Sequence, residues 1–84
     1  MTRFWPEGEP VEVEADSLWT PVRLTWQGTV HPVETISDRW RVDEEWWRGR
    51  VWREYFTLIT TTGLLMEIFH DLTADEWYVQ RVYD

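Results

Sequence analysis

Apolar and polar positions alternate with a period of two over much of this chain, which is the spacing of a strand with one buried face. Val11 and Val13 alternate with Glu12 and Glu14. Val22, Leu24 and Trp26 share one face, with Arg23 and Thr25 on the other. Gln27-Gly28 supplies a turn, and the β-branched run from Thr29 to Ile36 completes a hairpin over 20–37. Pro32 removes a ladder donor, so that strand is expected at an edge or beside a bulge. Asp38-Arg39 reads as a break, followed by a short strand with Trp40 and Val42 on one face.

Asp43 to Arg50 reads as a charged connection containing one helical turn. Beyond it, 51–60, 64–70 and 76–83 predict a three-stranded antiparallel meander. Thr61-Thr62-Gly63 and Asp71 to Asp75 would form its turns. Leu64, Leu65, Ile68, Phe69 and Leu72 also fit one stripe of a helix, so 64–70 stays open between strand and helix. Pro6, Gly8 and Pro10 oppose a helix in the acidic first sixteen residues. The pattern predicts an all-β chain, a small antiparallel barrel or strongly bent sheet, with an SH3-like barrel as the first choice. The 84 residues suffice for one domain, 1–84, with 1–10 an optional loosely attached arm.

Composition changes this picture in two ways. Eight Trp, three Tyr and three Phe provide large packing units, each removing about 150–250 Å² from water when buried. The same residue types favour contact surfaces. Sixteen acids against eight cations give a net charge of −8. This disfavours duplex nucleic acid and anionic membrane as main partners, because both reward positive charge. It suits a basic protein patch. Every cation is Arg, the side chain that stacks on rings and forks onto carboxylates. With no cysteine, disulfides and thiolate metal sites are excluded. No apolar leader or membrane-length run stands out, and the cytoplasm is the expected location.

One segment is specialised. Five of the eight Arg and four of the eight Trp fall within residues 39–53. Three readings compete. Trp40 and Trp52 could be core, with Arg stems across the rings and heads on Asp43, Glu44 and Glu45. Alternatively, Trp46, Trp47, Arg48, Arg50 and Arg53 form a protein-contact face. The third reading is a platform for single-stranded nucleic acid, which net charge opposes. Adjacent Trp46 and Trp47 cannot both point inward if the stretch is extended, so one is the expected exposed ring. Homo-oligomerisation through exposed rings or the Pro32 edge is a further option.

Catalytic signals are absent from the pattern. His31 and His70 lack metal-ligand spacing. His70-Asp71 is only a neighbour pair, and Ser17 and Ser37 lack a nucleophile-elbow context. Asp71 and Asp75 sit where Asp serves turns. No phosphate-cradling glycine loop exists. We therefore expect no enzyme activity, cofactor or metal.

Two stretches, Trp40-Arg41-Val42-Asp43-Glu44-Glu45-Trp46-Trp47 and Glu76-Trp77-Tyr78-Val79-Gln80-Arg81-Val82-Tyr83-Asp84, carry a resemblance. Together they resemble a small bacterial domain family that occurs alone and as the C-terminal segment of ImuB-type proteins, the inactive Y-family polymerase homologues of the mutasome. The resemblance covers 40–84. Over 1–39 it rests on the Trp-Xaa-Gly turn at Trp26 to Gly28. It implies a protein-contact or assembly role connected with translesion synthesis and DNA damage tolerance, with a mutasome or repair component as partner. It carries over no catalytic residue. Neither Gln27 nor Gln80 begins a sliding-clamp-binding pattern.

Overall fold

The computed structural model describes residues 2–47 and 49–83, with the Trp46 side chain outside that description. The described chain is all strand and turn. It contains β1 (Thr2–Pro10), β2 (Glu12–Ala15), β3 (Pro21–Trp26), β4 (Thr29–Trp46), β5 (Gly49–Thr60), β6 (Leu65–Asp71) and β7 (Glu76–Tyr83). Among the described residues, no helix is long and apolar enough to cross a membrane.

All pairings are antiparallel, in the order β1-β7-β6-β5-β4-β3-β2. The strands from β2 to β7 therefore form a meander, and β1 lies beside β7. Residues 2–10, considered above as an arm, run along β7 with Thr2 opposite Tyr83 and Pro10 opposite Tyr78. β1 and β2 lie at opposite edges of the sheet, yet only Val11 separates them. The sheet must curl until its edges nearly meet, and the Val11 N–H donates to the Trp77 carbonyl at 3.1 Å. The result is a strongly curled half-barrel.

Curling creates a concave and a convex side. On the concave side, Leu24, Trp26, Phe56, Leu58, Met66, Ile68, Val79 and Val82 form the buried core. On the convex side, paired rings form a ladder across four strands: Trp40 on Tyr55 at 5.2 Å, Tyr55 against Phe69 at 5.2 Å, and Phe69 on Tyr78 at 5.1 Å. Such cross-strand aromatic pairs add to the stability of a sheet. Gly8 lies against this ladder at φ +81, where a Cβ would stand 2.8 Å from the Tyr78 Cβ and 2.9 Å from the Phe69 ring. Only glycine fits that position.

The meander forms as its alternation predicts, and residues 65–71 are strand rather than helix. Gln27 and Gly28 both take positive φ between the paired Trp26 and Thr29. That is the two-residue turn whose twist suits a hairpin.

Three expectations fail in β4. The chain does not break at Asp38-Arg39, and the described residues Asp43 to Trp46 and Gly49-Arg50 are paired strand rather than a connection with a helical turn; β4 and β5 are one long hairpin from Val33 opposite Thr60 to Trp46 opposite Gly49. Trp40 is exposed on the convex side rather than in the core. A register shift between Ile36 and Asp38 explains the last point. Ile36 opposes Leu58 and Arg39 opposes Phe56, so both face inward although three residues apart. A bulge at Ser37 supplies the odd residue and exchanges the faces of everything after it. Trp40 turns outward, and Arg39 and Arg41 turn inward.

Candidate functional site

Two regions stand out. The first is the far end of the β4–β5 hairpin. β3 covers β4 only to Pro32, and β6 covers β5 only to Arg53, with a last bond from the Leu72 N–H to the Trp52 carbonyl at 2.9 Å. Among the described residues, 42–51 therefore continue as a two-stranded ribbon without a strand on either side. Charge pairing replaces the missing neighbours. Arg50 forks onto Asp43 at 2.9 and 3.0 Å and lies over the Trp52 ring at 4.6 Å. The Arg50 hydrogen bond holds the Asp43 carboxyl below its ordinary range.

Trp47 occupies the tip and is 86% exposed. Trp46 ends β4, its side chain lying outside the described residues, as does all of Arg48. Arg53 is not part of the tip. It lies on the convex side, 4.5 Å over Phe69, with Nη1 donating to the Tyr55 hydroxyl at 3.3 Å. The ribbon thus joins Trp47 and Arg50, whereas Arg53 belongs to the aromatic ladder.

The second region, which the sequence pattern missed, is the mouth of the half-barrel at the base of the ribbon. One concave row runs through the directly paired Arg41, Glu54, His70 and Trp77. Glu54 is 7% exposed. Arg39 forks onto it through Nε and Nη2 at 3.0 and 3.1 Å, and Arg41 reaches it at 3.5 Å. Burial acts to raise the Glu54 carboxyl, but the Arg39 hydrogen bonds and the charges of Arg39 and Arg41 outweigh it and hold it low. Arg39 also ties down the β2–β3 loop, donating to the Thr20 hydroxyl at 2.9 Å and the Leu18 carbonyl at 3.2 Å.

That loop carries Trp19 over His70. The His70 ring is sandwiched, 4.1 Å from Trp77 with the planes 3° apart, and 5.5 Å from Trp19. Its Nε2 bonds the Asp75 carboxylate at 2.7 Å. A carboxylate can only accept, so Nε2 carries the proton in this bond and Nδ1 is bare in the neutral ring. Among the described residues, Nδ1 is buried without a hydrogen-bond partner. Ring faces covered on both sides and 2% exposure suit a packing role rather than proton transfer to a substrate, which needs hydrogen-bond reach.

The partner of His70 is Asp75, five residues along, rather than its neighbour Asp71. Asp71 Oδ1 instead accepts the N–H groups of Thr73 and Ala74 in the turn. His31 bonds Thr62 at 2.8 Å in the β5–β6 turn, at the opposite end of β6 from the Asp75 turn. No group of three His, Cys, Asp or Glu side chains placed to hold a metal occurs among the described residues. A groove of about 330 Å³ between Leu18, Trp19, Arg41, Trp52 and Leu72 opens onto this row.

Compared with protein-family models, with curated proteins and with solved structures, the chain finds no match in any of the three.

Proposed function

We propose that this chain is a non-catalytic protein-contact module that engages its partner through the 42–51 ribbon. The observation carrying this reading is Trp47, 86% exposed at the tip of a ribbon extending past its neighbouring strands. Burying such a ring supplies one of the strongest single contacts known at protein interfaces. The cross-strand pairing beneath it, with Arg50 forked onto Asp43, limits the ordering cost on binding. A net charge of −8 steers the module toward a basic partner surface. The resemblance of residues 40–84 to the C-terminal segment of ImuB-type proteins suggests a mutasome or repair component as the first partner to try. Single-stranded nucleic acid is less favoured, since Arg50 is already held by Asp43 and Trp52, and Arg53 by Phe69.

The test is a quantitative pulldown against purified mutasome components with wild type and Trp47→Ala, both checked for fold by circular dichroism. The expected result is retention reduced by a factor of about 30 in the variant, the loss of a contact worth about 2 kcal/mol. Equal retention by two equally folded proteins removes the ribbon from consideration. Anisotropy with labelled single strands at low salt, and light scattering across a concentration series, separate nucleic-acid binding and self-association from this reading.

A further inference from the structure

Beside the mouth, a cleft of about 490 Å³ opens between the β2–β3 loop and the β6–β7 turn. The indoles of Trp19 and Trp77, the carboxylates of Asp16 and Asp75, and the small apolar side chains of Val13 and Ala15 line it. None of its lining residues is basic. We propose that this cleft binds an organic cation, a guanidinium or ammonium group carried on a short apolar arm.

The walls are held in place before any ligand arrives. Trp19 has φ +62 and Asp75 φ +54. A bulky residue such as Trp rarely adopts that region, and residues held there collect at functional sites. The surroundings enforce the conformation. Asp16 Oδ1 accepts the N–H groups of Leu18 and Thr20 at 2.8 and 3.0 Å, and Arg39 anchors the Leu18 carbonyl and the Thr20 hydroxyl. Trp19 covers His70 with one face and, at 55% exposure, turns its other face outward.

The chemistry of the lining selects a cation. Each carboxylate uses Oδ1 internally, Asp16 on the loop and Asp75 on His70, which leaves Oδ2 of both for a donor. Trp77 is stacked on His70 and Phe56, so the outward face of Trp19 is the indole face that can attract a guanidinium or ammonium group. Arg39, whose charge reaches Asp16, is already engaged by Glu54.

The molecule also contains a filled version of the same arrangement. In the ribbon, Arg50 lies 4.6 Å over the Trp52 ring while pairing with Asp43 at 2.9 Å. The cleft offers an indole and a carboxylate without the arginine. This inference is independent of the ribbon reading.

Titration of ¹⁵N-labelled protein with N-acetyl-arginine methylamide, and separately with tetramethylammonium chloride, tests it against sodium chloride at matched ionic strength. Saturable shifts of the Trp19 and Trp77 indole N–H signals are expected. Trp19→Ala should weaken binding of the blocked arginine roughly two- to fivefold, the factor a solvent-exposed cation–π contact supplies. Asp75→Asn should weaken it as well, and Trp47→Ala should leave it unchanged. Equal response to both probes supports a site for amines in general, and response to the arginine probe alone supports a side-chain guanidinium. Shifts that never saturate, or that are the same in Trp19→Ala and Asp75→Asn as in wild type, overturn the proposal. If Trp19→Ala disturbs the fold, Asp75→Asn decides alone.

Discussion

Phe56 and Glu54 stand two residues apart on β5, face the same concave side and are almost equally hidden, at 0% and 7% exposure, yet opposite chemistry holds them. Around Phe56 the paired positions on one side are Ile68 and, one strand further, Val79, and on the other the Arg39 stem lies over the ring with its guanidinium carbon at 5.0 Å. That half excludes water and needs no direction in its contacts. Around Glu54 the paired positions are Arg41 and His70. There, burial is tolerated only because two guanidiniums and a stacked imidazole surround the carboxylate. The difference traces to one inserted residue. The bulge at Ser37 directs Arg39 and Arg41 into a face that the preceding register would have filled with Trp40.

Three substitutions break or sharpen this contrast. Phe56→Ala should have the largest effect, a loss of about 3–5 kcal/mol in urea unfolding, since the ring is wholly buried and leaves a cavity. A loss below about 1 kcal/mol would mean that the apolar half does not hold the fold. Glu54→Gln should cost less, about 1–2 kcal/mol, because Arg39 is 36% exposed and water recovers part of its solvation. Its effect should also depend on pH. The Glu54 carboxyl lies lower in the folded chain than its ordinary value of 4.5, so the unfolded chain takes up the proton first on acidification. The pair's contribution is complete above 4.5 and is lost as pH falls through the lower folded value. The Gln variant should show a flatter stability profile across that acid window, and parallel profiles would contradict the pairing.

His70→Phe should change least, within about 1 kcal/mol, because the ring stack survives and the lost Asp75 bond is offset by removing the orphaned Nδ1. A cost comparable to that of Phe56→Ala would show that the imidazole nitrogens, rather than the ring, secure the mouth.

The contrast also explains what could be read from the sequence. Strand β7 and the Gln27-Gly28 turn follow from alternation and turn chemistry, which are local signals, whereas β6, whose apolar stripe also suits a helix, is settled by its pairing with β5 and β7. The arginines settle on rings and acids as their residue type suggests: Arg3 over Trp5, Arg39 over Phe56, Arg81 over Phe4. The ribbon is hidden in the sequence because Asp43, Glu45 and Arg50 look like a solvated connection until cross-strand pairing brings opposite charges together. The outward position of Trp40 is not legible in the sequence because a bulge leaves no mark in a period-two count. That one ring of the Trp46-Trp47 pair should be exposed follows from local geometry, since two adjacent rings cannot share one side of a strand, but which of the two does not. The mouth was hidden because its residues come from five separate segments, and His70 finds its carboxylate across a turn rather than next door.

The single residue between β1 and β2 has a dynamic consequence. Val11 bridges the two rims of the sheet, and Thr2 pairs with Tyr83 across nearly the whole sequence. Neither rim can fray far without tugging the other through that short covalent link. Amide protons along both rims should therefore exchange as one cooperative unit rather than as two independent loose ends.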